Sequence, residues 1–259
     1  MLWQQPEKFP GLKNNQVHIW RAKLTRTKKE AEDFLELLNG DERKRASRFV
    51  VEHASKNFIV ARGILRTLLS KYLNVDPKKI IFEQNQYGKL YLASSPLNFN
   101  LSHSGDLVLF AFSLNNLVGV DVELIREIEN FQDIAEKFFS KDEVAELFLL
   151  PEDQRQLAFF NCWSRKEAFI KAKGLGVYHG LDNFSVEISA KKEGQVKLLV
   201  PSSLQDCKSH LSSPRKRGYS FFNKREDSWS LEALDPGHKY TGAFAINALD
   251  FSASFYESS

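Results

Sequence analysis

The sequence predicts an α+β fold made of two halves that follow one another along the chain. Each half begins with a strand, continues with helices and ends in a group of strands, and the join lies near Leu117. The 259 residues suffice for one large domain or two modest ones, and the 21 phenylalanines suit a well-filled aromatic core. We therefore place a first half at residues 1–117 and a second half at residues 118–259, with no residue-level repeat relating them.

The first half opens with an irregular arm at residues 1–16. Apolar residues at helical spacing indicate helices, whereas alternating or continuous apolar runs indicate strands. Asn39 and Gly40 end the first helix, and Asp41 can cap the next one. The predicted elements are a strand at 17–24, helices at 28–38, 41–49 and 55–73, and strands at 79–83, 89–92 and 107–114. Residues 99–105 read as the end of a strand that runs into a polar turn.

The second half begins after a turn at Asn115 and Asn116. Asparagine tolerates a positive φ, so we expect a β-hairpin that joins the strands at 107–114 and 117–123. Ser140 and Glu143 form a capping box for a helix at 141–149. The other predicted elements are helices at 131–138 and 153–173 and strands at 183–188, 195–200, 219–223, 229–233 and 242–247.

Composition excludes several classes of protein. The formal net charge of +3 is too small for a nucleic-acid-binding polycation. Cys162 and Cys207 are too few for a disulfide framework and lack metal-ligand spacing, which fits a reducing cytoplasm. The N-terminus lacks the apolar core of a signal peptide, and no apolar run is long enough to span a bilayer. We expect a cytoplasmic protein that binds neither nucleic acid nor membrane.

Two carboxylates lie on one face of the strand that reads L-V-G-V-D-V-E. Because strand side chains alternate, Asp121 and Glu123 point away from the face that Val120 and Val122 share. Oxygen ligands of this kind suit Mg²⁺, which is commonly held by one or two carboxylates and substrate phosphates, and Mn²⁺ also suits them. The alternative is a half-exposed hairpin strand that shows its acids to water.

Two polar segments could hold phosphate. The segment S-H-S-G, which begins at Ser102 and His103, reads as a polar turn whose hydroxyls, imidazole and backbone N–H groups suit an anion, although a structural histidine is the alternative. Arginines in R-K-R-A-S-R, from Arg43 to Arg48, suit bidentate phosphate contacts, although a solvated helix face explains them equally. The basic loop around residues 215–217 could meet an acidic protein or simply be solvated.

The helix at 153–173 places Trp163, Glu167 and Lys171 four residues apart, so they lie on one face over successive turns. By itself this pattern is typical of a surface ion pair. Together with the strand acids and the cationic and hydroxyl groups, it indicates phosphoryl transfer, in which positioning and charge neutralisation provide most of the catalysis. We expect Trp163 to pack where the halves meet.

In their order along the chain, these motifs resemble the signatures of 4′-phosphopantetheinyl transferases of the larger, surfactin-synthetase-activating branch. They are Y-G-K, F-N-L-S-H-S-G, V-G-V-D-V-E, F-F-S-K-D-E, W-S-R-K-E-A-F-I-K and L-D-P-G-H-K, and the resemblance spans residues 25–248. It implies a pseudo-dimer of two similar α+β halves, each a small antiparallel sheet packed with helices, with coenzyme A in the cleft between them. It also implies transfer of phosphopantetheine to a carrier-protein serine and release of 3′,5′-ADP.

The resemblance assigns roles by position. Asp121 and Glu123 would hold Mg²⁺, and Glu167 would be the third acidic ligand, the general base for the serine, or both. Lys171 would neutralise charge on the pyrophosphate. Contacts to coenzyme A would come from Lys89, Ser102 and His103, and from Arg45 and Asn57 where the alignment is looser.

The chain departs from the family pattern at two positions. Glu42 stands where the family often has a lysine, so the 3′-phosphate contact is left open, and Val122, between the strand acids, has no ligand atom. Glu143 matches an acidic family position, but its capping-box role explains it as well.

The resemblance also implies partners. The co-substrates would be coenzyme A and an apo acyl or peptidyl carrier protein of fatty-acid, polyketide or nonribosomal peptide synthesis. With both halves in one chain, we expect a complete monomer. Two other functions use the same residues. A catalytically idle module would bind coenzyme A or the carrier without turnover, and a metal-dependent phosphodiesterase would release free phosphopantetheine without needing a carrier.

Overall fold

The computed structural model describes residues 1–176, 180–189, 193–199 and 228–258. The helices are α1 (Lys28–Leu37), α2 (Gly40–Ala46), α3 (Glu52–Leu73), α4 (Phe131–Phe138), α5 (Lys141–Leu149) and α6 (Glu152–Lys173). The strands are β1 (Gln16–Lys23), β2 (Glu83–Gln84), β3 (Leu90–Tyr91), β4 (Leu97–Ser104), β5 (Leu107–Leu114), β6 (Val118–Leu124), β7 (Ser185–Val186), β8 (Gly194–Val196), β9 (Leu198–Leu199), β10 (Ser230–Leu234), β11 (Tyr240–Ile246) and β12 (Ser252–Glu257). Short 3₁₀ helices lie at Pro77–Lys79 and Leu181–Asn183.

Two four-stranded sheets organise the molecule and confirm the α+β prediction. Sheet 1 has the order β12-β1-β5-β4, and sheet 2 has the order β6-β11-β10-β8. Neighbouring strands are antiparallel except β1 and β12, which are parallel. Each sheet carries one long helix, α3 or α6, so the two halves resemble each other in architecture.

Three apolar clusters give the layer order. Side chains of β1 and β5 pack against β6 and β11 between the two sheets, where Ile19 and Leu109 meet Val120 and Phe244. The other face of sheet 1 is covered by α3, and the other face of sheet 2 by α4, α5 and α6. The layers are therefore α3, sheet 1, sheet 2 and α6, because each sheet buries both faces.

The last strand returns to the first half. β12 pairs with β1 in parallel, with Ile19 opposite Phe255, and so completes the edge of sheet 1. The sequence patterns predict no strand at residues 252–257. Residues 252–257 thus belong to the second half of the chain but pack in sheet 1, whose other strands come from the first half.

Three local predictions were wrong. Asn115 does take a positive φ of 62°, but the chain leaves it for sheet 2, so β5 and β6 lie in different sheets and form no hairpin. Asn39, not Asp41, caps α2, because its side chain accepts from the backbone N–H of Glu42 and Glu42 returns the bond. The strand predicted at 79–83 is reduced to β2, and Lys79 lies in a 3₁₀ helix.

The predicted helices are all found, with small shifts at their ends. The strand predicted at 219–223 lies outside the described residues. Within the part of the chain that the structure describes, no helix combines the length and the apolar character needed to cross a membrane.

Candidate active site

The strand β6 presents its carboxylates as the alternation predicts. Val118, Val120 and Val122 are buried between the sheets, whereas Asp121 and Glu123 point towards α6. Asp121 is only 2% exposed, and Glu123 is half-buried near the end of the strand. The acids therefore stand beside a helix and not in open solvent.

Sheet 1 contributes three polar side chains from alternate positions of β4. Asn100 Oδ1 accepts from the backbone N–H of Val120 at 2.9 Å, and Ser104 Oγ accepts from that of Leu124 at 3.1 Å. Because β6 pairs with β11 on one side only, these side chains satisfy N–H groups on its other edge. They join β4 to β6 without any backbone ladder.

The two serines of β4 also bind the acids directly. Ser102 Oγ donates to Asp121 Oδ1 at 2.7 Å, and Ser104 Oγ donates to Glu123 Oε2 at 2.9 Å. The polar turn predicted to begin at Ser102 is therefore wrong: both serines lie in the strand, and the turn begins at Gly105, with a φ of 56°. The chain reads as polar there because its side chains face a neighbouring strand.

Helix α6 brings Glu167 and Lys171 to the same place. Lys171 Nζ lies 2.5 Å from Asp121 Oδ1 and donates to Ser102 Oγ at 2.9 Å. Glu167, one turn earlier, is 6% exposed. The four-residue spacing thus places this carboxylate and this ammonium together beside the β6 acids, as the sequence predicted.

Close contact between α6 and β6 depends on Gly119. A Cβ atom at this position would lie 2.2 Å from both the carbonyl oxygen of Ala168 and the backbone nitrogen of Ala172. Glycine in a strand often marks such an approach of another backbone. The helix can lie directly on the strand only because residue 119 has no side chain.

Mutual repulsion and burial set the protonation of the acids. Burial, together with the charge of Asp121, raises the pKa of Glu123 to about 7. Burial also raises the pKa of Glu167 to about 7, with Asp121 and Glu123 adding to the effect and Lys171 opposing it. Burial opposes the charge on Lys171, but the three acids outweigh it and raise the pKa of that ammonium.

Two carboxylate oxygens of the site bear on metal binding. Asp121 Oδ2 and Glu167 Oε1 are buried and have no hydrogen-bond partner among the described residues. A buried carboxylate oxygen without a partner is costly, and a cation would relieve that cost. In the described part of the chain, however, no group of three His, Cys, Asp or Glu side chains is close enough to hold a metal ion.

The other residues predicted to contact coenzyme A lie on several different elements. Lys89 is beside the C-terminal end of α6, where its Nζ contacts backbone carbonyls. His103 follows Ser102 in β4, so it points to the opposite face, and it is exposed. Arg45 and Asn57 lie on α2 and α3, and the guanidinium of Arg45 stacks over the ring of Phe58.

Glu42, where the sequence departs from the family pattern, has an internal role. Its carboxylate lies 2.8 Å from a guanidinium nitrogen of Arg66 and 3.5 Å from one of Arg62. It also closes the cap of α2 through the backbone N–H of Asn39 at 3.0 Å. Glu42 therefore links α2 to α3 and is not free to meet a ligand.

Sequence reasoning missed the part that Lys166 plays. This lysine of the W-S-R-K-E segment is buried, lies 2.7 Å from Glu143 and donates to the carbonyls of Leu181 and Phe184. Glu143 also accepts from the backbone N–H of Val186 at 2.7 Å. The pair therefore joins α6 to α5 and to the segment from Leu181 to Val186. The sequence held one sign of it, because Glu143 matches an acidic family position in addition to its role in the capping box.

The prediction for Trp163 was wrong. Its ring packs edge-on against Phe138 of α4, at 5.6 Å, and stacks on Phe159 one turn earlier in α6. It therefore belongs to the core on the outer face of sheet 2, not to the contact between the sheets. The basic loop at residues 215–217, suggested for an acidic partner, lies outside the described residues.

Comparison with known proteins adds to this geometry. A family model described as the 4′-phosphopantetheinyl transferase superfamily matches residues 117–236, and one described as the N-terminal part of a 4′-phosphopantetheinyl transferase matches residues 20–115.

Curated relatives match over most of their length. The chain is 38% identical to the 4′-phosphopantetheinyl transferase HetI of Nostoc sp. (strain PCC 7120) over 170 residues, which cover 64% of this chain and 72% of that protein. It is 32% identical to the 4′-phosphopantetheinyl transferase Sfp of Bacillus subtilis (strain 168) over 70% of this chain and 79% of that protein. For the 4′-phosphopantetheinyl transferase psf-1 of Bacillus pumilus the identity is 34%, over 70% and 76%.

Proposed function

The chain belongs to the 4′-phosphopantetheinyl transferase superfamily, and from this premise we propose that it transfers 4′-phosphopantetheine from coenzyme A to a serine of an acyl or peptidyl carrier protein. The observation that best supports this reaction is the meeting of Asp121, Glu167 and Lys171 at the junction of β4, β6 and α6. Two acids and one ammonium side by side, largely withdrawn from water, suit a reaction at a pyrophosphate.

The reaction balances with the groups at hand. The serine oxygen forms a bond to the β-phosphorus of coenzyme A, and the bond from that phosphorus to the bridging oxygen breaks, so that 3′,5′-ADP leaves. We assign the serine proton to Glu167. Without a metal ion, burial raises its pKa to about 7, which suits a proton acceptor near neutral pH. Direct binding of a cation would lower that pKa, so the base role requires a water between Glu167 and the ion. Lys171, which stays an ammonium, would offset the charge that develops on the leaving phosphate.

Carboxylate oxygens are the type of ligand that a divalent cation such as Mg²⁺ prefers. Asp121, Glu123 and Glu167 would hold Mg²⁺, or Mn²⁺, and the unpartnered oxygens Asp121 Oδ2 and Glu167 Oε1 favour this assignment. When bound, the ion would neutralise the pyrophosphate and polarise its oxygens. The β4 serines donate hydrogen bonds to the carboxylates of Asp121 and Glu123, which would keep these two side chains oriented for the ion.

The site combines residues of both halves of one chain. Ser102 and Ser104 come from the first half, and the acids and Lys171 come from the second. We therefore propose that a single chain is catalytically complete, as a monomer in the cytoplasm. Analytical ultracentrifugation of the active protein would test the monomer, and an active dimer with no active monomer would contradict it.

Intact mass spectrometry of the carrier tests the function. The protein is incubated with an apo carrier domain, coenzyme A and Mg²⁺, and the expected result is a carrier that gains one phosphopantetheinyl group. Cleavage of coenzyme A without a heavier carrier would indicate a phosphodiesterase instead. An unchanged carrier with intact coenzyme A would indicate a binding module, and either result would overturn the proposal.

A further inference from the structure

A turn of the first half closes on the end of the helix that carries Glu167. Lys89, after the turn between β2 and β3, donates from Nζ to the carbonyl of Lys171 at 2.6 Å and to that of Ala172 at 3.0 Å. The same nitrogen donates to the carbonyl of Val118, at the start of β6, at 3.1 Å. One ammonium thus joins the last turn of α6 to the strand that bears Asp121 and Glu123.

These contacts use the whole donor capacity of Lys89. An ammonium has three N–H groups, and three carbonyls accept them, so none remains for a phosphate oxygen. The last carbonyls of a helix lack partners within it, and a cation there is favoured by the helix dipole. Burial lowers the pKa of Lys89 to about 7, while its carbonyl partners favour the charged form.

The turn itself is built to hold Lys89 in place. Asn85 Oδ1 accepts from the backbone N–H groups of Tyr87, at 3.0 Å, and Lys89, at 2.9 Å. Asn85 Nδ2 donates to the carbonyl of Gly174 at 2.7 Å, where α6 ends with a φ of 71°. Two side chains of the turn, those of Asn85 and Lys89, therefore contact the C-terminal end of α6.

The contacts lie where a small shift of α6 matters. Gly119 lets α6 lie directly on β6, but a strand and a helix in such contact can still slide along one another. Lys89 holds Val118 of the strand and Lys171 of the helix at one point, which fixes that sliding. The position of Lys171 relative to Asp121, 2.5 Å away, depends on it.

We propose that Lys89 is a positioning residue, which holds α6 and β6 in the relative position that the reaction needs, and not a ligand of the phosphates of coenzyme A. The proposal rests on the transferase function proposed above. It assigns to the Y-G-K segment a role that differs from the one its family resemblance implies. It also makes the first half a part of the machinery that aligns the second.

Steady-state kinetics of Lys89→Met with two donors tests the role. Coenzyme A and 3′-dephospho-coenzyme A differ only in the 3′-phosphate. A positioning residue predicts that kcat falls by more than about tenfold with both donors, while KM for each stays within about twofold. The exposed Lys79→Met, in the same stretch of chain, serves as the control and should behave as wild type.

Other kinetic results would overturn the proposal. A rise in KM for coenzyme A at unchanged kcat would make Lys89 a phosphate ligand. A lower thermal midpoint with unchanged kcat per folded molecule would make it structural only. Lys89→Gln sharpens the comparison and covers the case in which Lys89→Met does not fold. Because its amide can still donate to two carbonyls, it should retain more kcat than Lys89→Met, whereas equal losses would contradict positioning.

Hydrogen exchange separates this proposal from the transferase function. Amide exchange over residues 170–175 should be faster in Lys89→Met, or in Lys89→Gln, than in Lys79→Met, whether or not a carrier is modified. If wild type fails to modify any carrier and exchange is still faster, the transferase assignment fails while the positioning contact stands. Unchanged exchange would overturn the positioning role.

Discussion

The ammonium of Lys166 lies 2.7 Å from a carboxylate oxygen of Glu143, and both side chains are shut off from solvent. Ser140 and Val186 add backbone N–H donors to the carboxylate, while the carbonyls of Leu181 and Phe184 accept from the ammonium. The carboxylate and the ammonium thus neutralise each other, and each also has backbone hydrogen bonds. Lys166, the motif lysine next to Glu167, therefore stabilises the helix instead of reaching the proposed active site.

Removing one partner of this pair should destabilise the protein strongly. Lys166→Met leaves the carboxylate of Glu143 buried without a counter-charge, so we expect a loss of about 3–5 kcal/mol in the free energy of unfolding, measured by urea denaturation. Glu143→Gln combined with Lys166→Met should recover part of that loss. The exposed Lys141→Met is the control. A Lys166→Met protein within about 1 kcal/mol of wild type would contradict this account.

Gly119→Ala tests the contact of α6 with β6. The new methyl would meet backbone atoms of Ala168 and Ala172, so the helix must move away from the strand. We expect a loss of more than about 2 kcal/mol in unfolding free energy and a large drop in kcat, because Lys171 moves from Asp121. Gly40→Ala, where a Cβ meets nothing within 4 Å, is the matched control and should be neutral or slightly stabilising. Equal behaviour of the two variants would refute the close-approach argument.

Local patterns predicted the elements but not how they pair. The capping box of Ser140 and Glu143 and the helical periodicity of α3 and α6 are signals contained in a few consecutive residues, and the structure agrees with them. The partner of a strand depends on distant residues. The turn at Asn115 therefore looked like a hairpin, and the parallel pairing of β12 with β1 left no local sign.

The candidate site was predictable where spacing decides direction. Alternation placed Asp121 and Glu123 on one face of β6, and helical spacing placed Glu167 with Lys171. The surroundings needed the fold. The side chains of β4 that face the unpaired edge of β6 are polar, because they form hydrogen bonds with its backbone N–H groups and its carboxylates. In the sequence, such a polar strand looks like a loop, so the pattern predicts a turn. Gly119, a glycine inside a strand, was a local sign of the close approach of α6.

Glu167→Gln tests the assigned base. The amide keeps the shape of the side chain but cannot accept the serine proton. Measured at saturating Mg²⁺, which offsets the weaker metal ligand, kcat should fall by about 10²- to 10⁴-fold with little change in KM for coenzyme A. The thermal midpoint should be unchanged or higher, because a buried, partnerless oxygen no longer carries charge. Glu152→Gln, exposed at the start of the same helix, is the control. Loss of less than about fivefold in kcat would argue against Glu167 as the base.

His18 should make the protein sensitive to mild acid. It is buried, its Nδ1 lies 2.8 Å from the hydroxyl of Tyr72, and burial lowers its pKa to about 4 from an ordinary 6.5. Between these values the unfolded chain binds a proton that the folded protein excludes, so stability falls as the pH falls. Relative to neutral pH, protonation of His18 in the unfolded chain lowers the free energy of unfolding by about 2.5 kcal/mol at pH 4.5.

The measurement is unfolding free energy against pH for wild type and His18→Asn. The variant should lack the part of the acid sensitivity that arises between pH 6.5 and 4.5, whatever its absolute stability. The exposed His53→Gln should keep the wild-type profile. Parallel profiles for wild type and His18→Asn would show that His18 does not resist protonation.

Stabilisation by Mg²⁺ should be greater at high pH than at low pH, because protons compete with the cation for Glu123 and Glu167. Because the pKa values of Glu123 and Glu167 are raised to about 7, the folded protein without metal binds more protons than the unfolded chain between pH 4.5 and 7. These two groups therefore stabilise the fold at low pH, and that contribution is lost as the pH rises through about 7. Above that pH both carboxylates are ionised and available to a cation.

We accordingly expect Mg²⁺ to raise the thermal midpoint at pH 8 and to have little effect at pH 5.5, where it competes with protons. At a hundred times its dissociation constant the ion would add about 2.7 kcal/mol. Asp121→Asn should lose this response at both pH values, and KCl at matched ionic strength should not reproduce it. An equal rise at pH 5.5 and pH 8, or a rise that persists in Asp121→Asn, would place the cation elsewhere on the protein.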